Sequence, residues 1–175
     1  MQWFRKLFRK PSNAESLFPG VRLGIYKILA LNNSTGMIIE LSYGLSDKIH
    51  KNGIDSLTQP ERVLHHVYWL ESEINNGGFE QYFANSSGDY ALDTPAALDE
   101  IGAHQTAQLV RRAIDLFPDG LPPRDRQQRV EKLKLIDDDT VNQLGNLTSE
   151  FFEYRDPLEE LPVKYMFANK DQIHV

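Results

Sequence analysis

The stretch Thr58-Gln59-Pro60-Glu61, followed by one stripe of apolar residues, constrains this chain more than any other feature. Thr58 can accept a hydrogen bond from the backbone of Glu61 while the Glu61 side chain reaches back, and Pro60 occupies a first turn where no donor is lost. Val63, Val67, Leu70 and Ile74 then recur at spacings of four, three and four. A helix running to about Asn75 therefore presents one face that other elements must cover. The pair Gly77-Gly78 predicts its stop. A short helical segment through Phe79, Tyr82 and Phe83 follows, ended by Asn85-Ser86-Ser87-Gly88.

The same punctuation recurs elsewhere. Ile38, Leu41, Leu45 and Ile49 predict a helix over 37–51, stopped at Asn52-Gly53. Thr94-Pro95 opens a helix that Gly102 ends, and Ala103, Ala107, Val110, Ile114 and Phe117 carry the next stripe up to Pro118-Asp119-Gly120. Residues 123–136 read as a surface helix, with Val130, Leu133 and Ile136 as its apolar members among many basic residues. Asp139 reads as the cap of a helix bearing Val141, Leu144, Leu147, Phe151 and Phe152. Asp156-Pro157-Leu158-Glu159 reads as another cap, with Pro162 kinking or restarting the last helix before Tyr165, Met166 and Phe167. Residues 21–31 fit two periods: Val21, Leu23 and Ile25 alternate like a strand, whereas Ile25 and Leu29 suit a helix. The expected fold is all-α, a single compact domain of about seven or eight helices over 21–175, preceded at 1–20 by a basic amphipathic segment and linker.

Composition narrows the function classes. With 175 residues, 41% of them hydrophobic and 25% charged, the chain can bury a core without staples. The absence of cysteine excludes disulfides, thiolate zinc, iron–sulfur clusters and a cysteine nucleophile, and suits the reducing cytoplasm. No stretch approaches the roughly 20 apolar residues of a spanning helix, and no secretory signal is recognisable. Arg5, Lys6, Arg9 and Lys10 stand among the first ten residues without an acid, so a net charge of −6 leaves −10 on the remainder. Direct nucleic-acid binding is not expected of such a body, because duplex affinity rests on cations that neutralise phosphates. Trp3, Phe4, Leu7 and Phe8 sit among those four cations. That pattern fits weak peripheral contact with an anionic membrane, a turn docked on the domain, or a frayed terminus.

Catalytic groupings are hard to find. His50, His65, His66, His104 and His174 offer no pair at the spacing of four that a helical zinc site uses, and adjacent His65 and His66 project roughly 100° apart. Ser86 and Ser87 lie outside any Gly-x-Ser-x-Gly elbow, and Gly77-Gly78 is followed by Phe79-Glu80 rather than a phosphate-binding lysine. Glu71 and Glu73 read as solvated helix-face carboxylates. No catalytic residue, metal site or cofactor is expected. The dense feature is residues 73–90, where Glu73, Asn75, Asn76, Gln81, Asn85, Ser86, Ser87 and Asp89 alternate with Phe79, Tyr82, Phe83 and Tyr90 around Gly77, Gly78 and Gly88. Buried, such amides must find partners and so tie helix ends to loop backbone. The alternative is a small-molecule or enzymatic pocket lined by Asn75, Gln81, Asn85 and Tyr82.

This segment, Glu71-x-Glu73-Ile74-Asn75-Asn76-Gly77-Gly78-Phe79-x-Gln81-Tyr82-Phe83-x-Asn85-Ser86-Ser87-Gly88-Asp89, resembles the hallmark of a bacterial family of uncharacterised domains that includes the carboxy-terminal domain of a DNA-mimic protein. The resemblance is best over residues 55–120, through Leu57-Thr58-x-Pro60-Glu61-Arg62, Ala97-Leu98, Ile101-Gly102-Ala103 and Phe117-Pro118. It implies an all-helical fold, no known enzymatic activity, compatibility with homodimers and a protein partner. In one studied type that partner is a DNA-binding protein held by an acidic face. Candidates for such a face here are Asp137, Asp138, Asp139, Glu150, Glu153, Asp156, Glu159 and Glu160. Their plainer reading is stabilisation of helix dipoles. Arg111, Arg112, Arg124, Arg126, Arg129, Lys132 and Lys134 interrupt the acidic surface.

Overall fold

The computed structural model describes residues 23–175. Among these residues there are eight α-helices and no strand. They are α1 (Ile25–Leu29), α2 (Ser34–Asn52), α3 (Gln59–Ala84), α4 (Thr94–Glu100), α5 (His104–Asp115), α6 (Arg126–Leu133), α7 (Asp138–Phe151) and α8 (Leu161–Asn169). The expected all-α domain is what forms. The segment read at 1–20 lies outside the described residues. No described helix is long and apolar enough to cross a membrane.

Helix α3 is the axis. Both halves of its capping box are made: Glu61 N donates to Thr58 and Thr58 N donates to the Glu61 carboxylate. Glu61 does more than cap, for it is fully buried and also accepts from Lys48 Nζ at 2.7 and 2.8 Å and from His174 N at 2.7 Å. One carboxylate thus ties α2, the start of α3 and the C-terminal segment together. The helix breaks where the glycines predict, at Gly77 and Gly78, and resumes through Phe79 to Ala84. Gly78 has φ +74°, which favours glycine, and a Cβ there would meet the Thr148 side chain of α7 at 2.9 Å.

Two apolar clusters flank this axis. Val63, Val67, Leu70, Ile74, Phe79, Tyr82 and Phe83 of α3 pack with α4, α5 and α7 through Leu98, Val110, Leu144 and Phe151. On the other side Leu64 of α3 joins Ile28 of α1, Met37, Leu41 and Leu45 of α2, Met166 of α8 and Ile173. A helix covered on both sides must carry apolar residues beyond one stripe, and Leu64 is the residue outside the Val63-to-Ile74 stripe that does so.

Several boundaries differ from expectation. Residues 25–29 are helix, so the strand alternative at 21–31 does not form there. Helix α2 starts three residues early because Asn33 accepts from Gly36 N and caps it. Asp137, not Asp139, caps α7, accepting from Thr140 N at 2.8 Å. No helix follows Asp156; α8 begins at Leu161 with Pro162 in its first turn. Helix α6 is shorter than 123–136, and its Arg129 is fully buried rather than solvated.

His65 and His66 are both buried despite projecting to different sides of α3. Their Nδ1 atoms lie 3.4 Å apart, and the Tyr90 ring stacks on His66 with centroids 4.8 Å apart. Burial lowers His65 to about 3, aided by its neighbour's charge, and lowers His66 to about 4 against the pull of Asp93. Both are neutral in the folded state at pH 7, whereas the unfolded chain protonates them near 6.5. Their contribution is therefore complete above pH 6.5 and is lost as pH falls toward 4 and 3. Replacing His66 with Phe, which keeps a ring against Tyr90, is expected to remove about 1.4 kcal/mol per pH unit from the acid-side slope of stability. Urea unfolding of both proteins between pH 6 and pH 4.5 measures that difference; parallel slopes exclude it.

Candidate functional site

The amide-and-aromatic segment folds into two linked polar nodes at the C-terminal end of α3. The first centres on Glu73, whose carboxylate accepts from Gln81 Nε2 at 2.6 Å, Asn85 Nδ2 at 2.8 Å and Ser87 Oγ at 3.2 Å. Those donors all lie beyond the glycine break, whereas Glu73 lies before it. The carboxylate therefore spans the kink and fixes the angle between the two halves of the helix.

The second node is Arg129 of α6, with no solvent exposure. Its guanidinium donates to the carbonyls of Phe83 (2.6 Å), Asn85 (2.8 Å), Pro123 (2.7 Å) and Arg124 (2.9 Å) and to the Asp89 carboxylate (2.6 Å). Five N–H groups thus meet five oxygens, which is the full donor capacity of the group. Three of the acceptors lie in residues 83–89, where α3 ends and its last carbonyls need donors. Gly88 makes this approach possible: a Cβ there would lie 2.7 Å from Arg129 Nε and 2.8 and 2.9 Å from the carbonyl oxygens of Tyr82 and Phe83.

Other members of the segment are engaged in the same way. Asn75 Nδ2 donates to Tyr154 Oη at 2.7 Å, and Tyr154 in turn donates to Glu71 at 3.1 Å. Phe79 N donates to Thr148 Oγ1 at 3.2 Å. Tyr82 is buried with its hydroxyl 2.8 Å from Thr94 Oγ1, while Phe79 and Phe83 are wholly inside the core. Asn76, Gly77 and Ser86 are exposed. Glu71 is not the solvated carboxylate its position suggests: burial raises it to about 7, with Tyr154's hydroxyl pulling down and Glu159's charge pushing up.

The acidic candidates do not converge. Asp137, Asp138 and Asp139 stand at the start of α7, and Glu150 lies about 18 Å further along near its end, at 1.5 Å per residue, with Glu153 just beyond the helix. Glu150 pairs with Arg112 and Arg155, Glu153 with Arg155, and Glu160 with Lys164. Asp156 is buried and accepts from Thr106 N at 2.7 Å and Thr106 Oγ1 at 2.9 Å. It caps the first turn of α5 across the fold and does not belong to any outward face. Glu159 is exposed, with the Thr35 hydroxyl 3.4 Å away.

Of the basic residues that read as interrupting an acidic surface, Arg129 is withdrawn from it, whereas Arg124 and Arg126 stay exposed while bonded to the protein. Arg124 forks onto Asp93 at 2.6 and 2.9 Å, Arg126 donates to Ala84 O at 2.9 Å, and Arg129 is buried. Arg129 escaped the sequence reading because its charge implied solvent. Its spacing carried a signal, since Arg129, Leu133 and Ile136 recur at helical intervals in the sequence and the last two pack against the main core. Among the described residues no group of three or more His, Asp or Glu is placed to hold a metal ion.

The model of the DMP19-like protein family matches residues 55–169, from the turn before α3 to the end of α8. The chain belongs to this family. No curated protein and no solved structure matches it. The match extends well beyond the best-resembling stretch at 55–120 and includes both polar nodes of this DMP19-like chain.

Removing the second node is expected to be costly. Arg129→Met leaves five oxygens without their donor and should cost about 3–5 kcal/mol, as for a broken buried ion pair. Gly88→Ala should cost a comparable amount through backbone displacement. Gly145→Ala, where an added methyl meets nothing within 4 Å, should instead stabilise α7 by up to about 1 kcal/mol. Urea midpoints of the three variants give the ranking; an Arg129→Met protein as stable as wild type contradicts it.

Proposed function

We propose that this DMP19-like domain acts as a non-catalytic protein-interaction module that occupies a DNA-binding protein. The family suggests a DNA-mimic role in protein interaction. The observation that carries the reading is the internal engagement of Glu73, Gln81, Asn85, Arg129 and Asp89, which are bonded to one another and to backbone. Recognition then falls to the outer surface. The small-molecule alternative loses ground for the same reason, because Asn75, Gln81, Asn85 and Tyr82 each already hold a partner.

On the outer surface Asp138 and Asp139 are exposed beside Asp137, and Glu159 is exposed in the turn before α8. These four are the carboxylates we assign to the partner. Glu150, Glu153 and Glu160 contribute less, since each already faces a cation, and Asp156 contributes nothing. Burial of Arg129 supports the reading by removing one basic charge that would oppose it, and Arg124 is paired with Asp93. A mimic competes with phosphates, so its hold on the partner must weaken with salt and with added DNA.

The test is capture of partners on immobilised protein from a lysate of a bacterium, followed by elution with short duplex DNA. A DNA-binding protein released by duplex, and retained at least tenfold less by the D137N/D138N/D139N/E159Q variant, is the expected result. A partner that resists duplex and binds the neutralised variant equally well overturns the proposal.

A further inference from the structure

Helices α5 and α7 run antiparallel. Thr106 at the start of α5 donates to Asp156 beyond the end of α7, and Arg112, further along α5, donates to Glu150, which lies earlier in the chain. Past that ion pair the two helices bound a groove of about 340 Å³, lined by Arg112, Asp115 and Leu116 from the end of α5 and by Gln143, Asn146 and Leu147 from α7. Such a volume lies within the range of sites that hold small ligands or single side chains. Leu147 is buried and Leu116 half-buried, whereas the four polar side chains are exposed. The groove therefore has an apolar floor and a polar rim.

The rim groups differ in what they have left to offer. Arg112 is already paired with Glu150 at 2.8 Å. Gln143 Nε2 donates to Asp139 at 2.8 Å, so the end of that amide left to the groove is its carbonyl oxygen. Asp115 and Asn146 hold no hydrogen-bond or ion partner among the described residues. The uncompensated charge in the groove is thus the Asp115 carboxylate. Asp115 is also the last of the 12 residues of α5, where the helix carbonyls favour a cation. A free anion above two leucines is complementary to a cation on an aliphatic stem, which can cover the floor while its head stays at the rim. The acceptors stand on three separate side chains from two helices. They suit the three rotatable donors of an ammonium better than the planar fork of a guanidinium.

We propose that the groove between α5 and α7 receives a lysine side chain of the protein partner, with its methylene stem on Leu116 and Leu147 and its ammonium on Asp115. The carbonyl oxygens of Gln143 and Asn146 supply further acceptors. The assignment rests on the reading of that partner as a DNA-binding protein, a class that carries lysines to meet phosphates, and it adds to that reading a specific place of contact. The groove adjoins the carboxylates assigned to the partner, since Gln143 is bonded to Asp139 one helical turn earlier. Asp115 belongs with them although it comes from another helix.

NMR titration of the full chain with Nα-acetyl-lysine methylamide tests the groove, read at the Leu116 and Leu147 methyls and the Gln143 and Asn146 side-chain amides. Nα-acetyl-norleucine methylamide, which has the stem without the charge, is the comparison. The lysine compound should bind about fivefold more tightly, and Asp115→Asn should remove that margin. Equal binding of the two compounds, a margin unchanged in Asp115→Asn, or shifts confined to residues outside the groove overturns the proposal. In the capture experiment Asp115→Lys, which puts the protein's own cation at the groove, should retain the partner about tenfold less. Equal retention overturns the assignment of the groove to the partner. The titration needs no partner, so a captured protein that resists duplex DNA would remove the mimic reading and leave a measured lysine preference standing.

Discussion

A guanidinium with no access to water is costly unless each of its protons is received, and Arg129 meets that condition through residues drawn from three places in the chain. Phe83 and Asn85 come from the end of α3, Asp89 from the turn after it, and Pro123 and Arg124 from the approach to α6. Misplacing any one strands a donor in the interior. The arrangement therefore specifies where α3 ends and how α6 lies across it more narrowly than apolar packing would, since apolar contacts tolerate sliding and hydrogen bonds do not. Asn85 extends the constraint, because its carbonyl receives Arg129 while its side-chain amide donates to Glu73. Through that residue the anionic node across the helix kink and the cationic node at the helix end become one network.

The network also accounts for the residue types in the densest part of the sequence. Gly88 is needed because the guanidinium and two carbonyl oxygens occupy the space a Cβ would take, and Gly78 because the chain turns through positive φ against Thr148. Gln81, Asn85 and Ser87 are short or medium polar side chains that donate to one carboxylate from three positions on a curving backbone. Phe79, Tyr82 and Phe83 point the other way and fill the main core. A segment that alternates amides with aromatics is thus explained by having one face on a polar network and the other on apolar packing.

Local signals were legible and distant ones were not. The capping box at Thr58, the glycine break at 77–78 and the stop at Gly102 depend on neighbours within four residues, and each appears where the sequence places it, whereas the helix expected to be capped by Thr94 has Asp93 in the cap position and Thr94 as its first residue. Asp156 reads locally as a cap for a following helix, yet its carboxylate serves Thr106, 50 positions earlier. Asp139 carries the composition of a cap, but Asp137 two residues before it has the extended backbone that capping requires. Arg129 is the largest miss, because charge was given more weight than its helical spacing to Leu133 and Ile136. The dense segment was recognisable as a unit, while its principal partner lay some 40 residues downstream in a stretch read as solvent-facing.

Buried polar groups along α3 follow a single rule, and the exceptions to solvation sort by it. Glu61 faces Lys48 and accepts four hydrogen bonds, while Arg129 faces Asp89 and donates five. Both are buried as partnered charges. Among the described residues His65, His66 and Glu71 have no opposite charge bonded to them, and burial moves each toward its uncharged form: the histidines downward to about 3 and about 4, the carboxyl upward to about 7. The two shifts have opposite signs and one cause. Between about pH 4 and pH 7 all three are neutral together, so the middle of the central helix carries no unpartnered charge in that interval. Below it the histidines gain a proton the fold disfavours, and above it Glu71 loses one. The helix that organises both core clusters is therefore sensitive at both ends of the pH range for the same reason: its interior has room for charge only where a complete set of partners has been built.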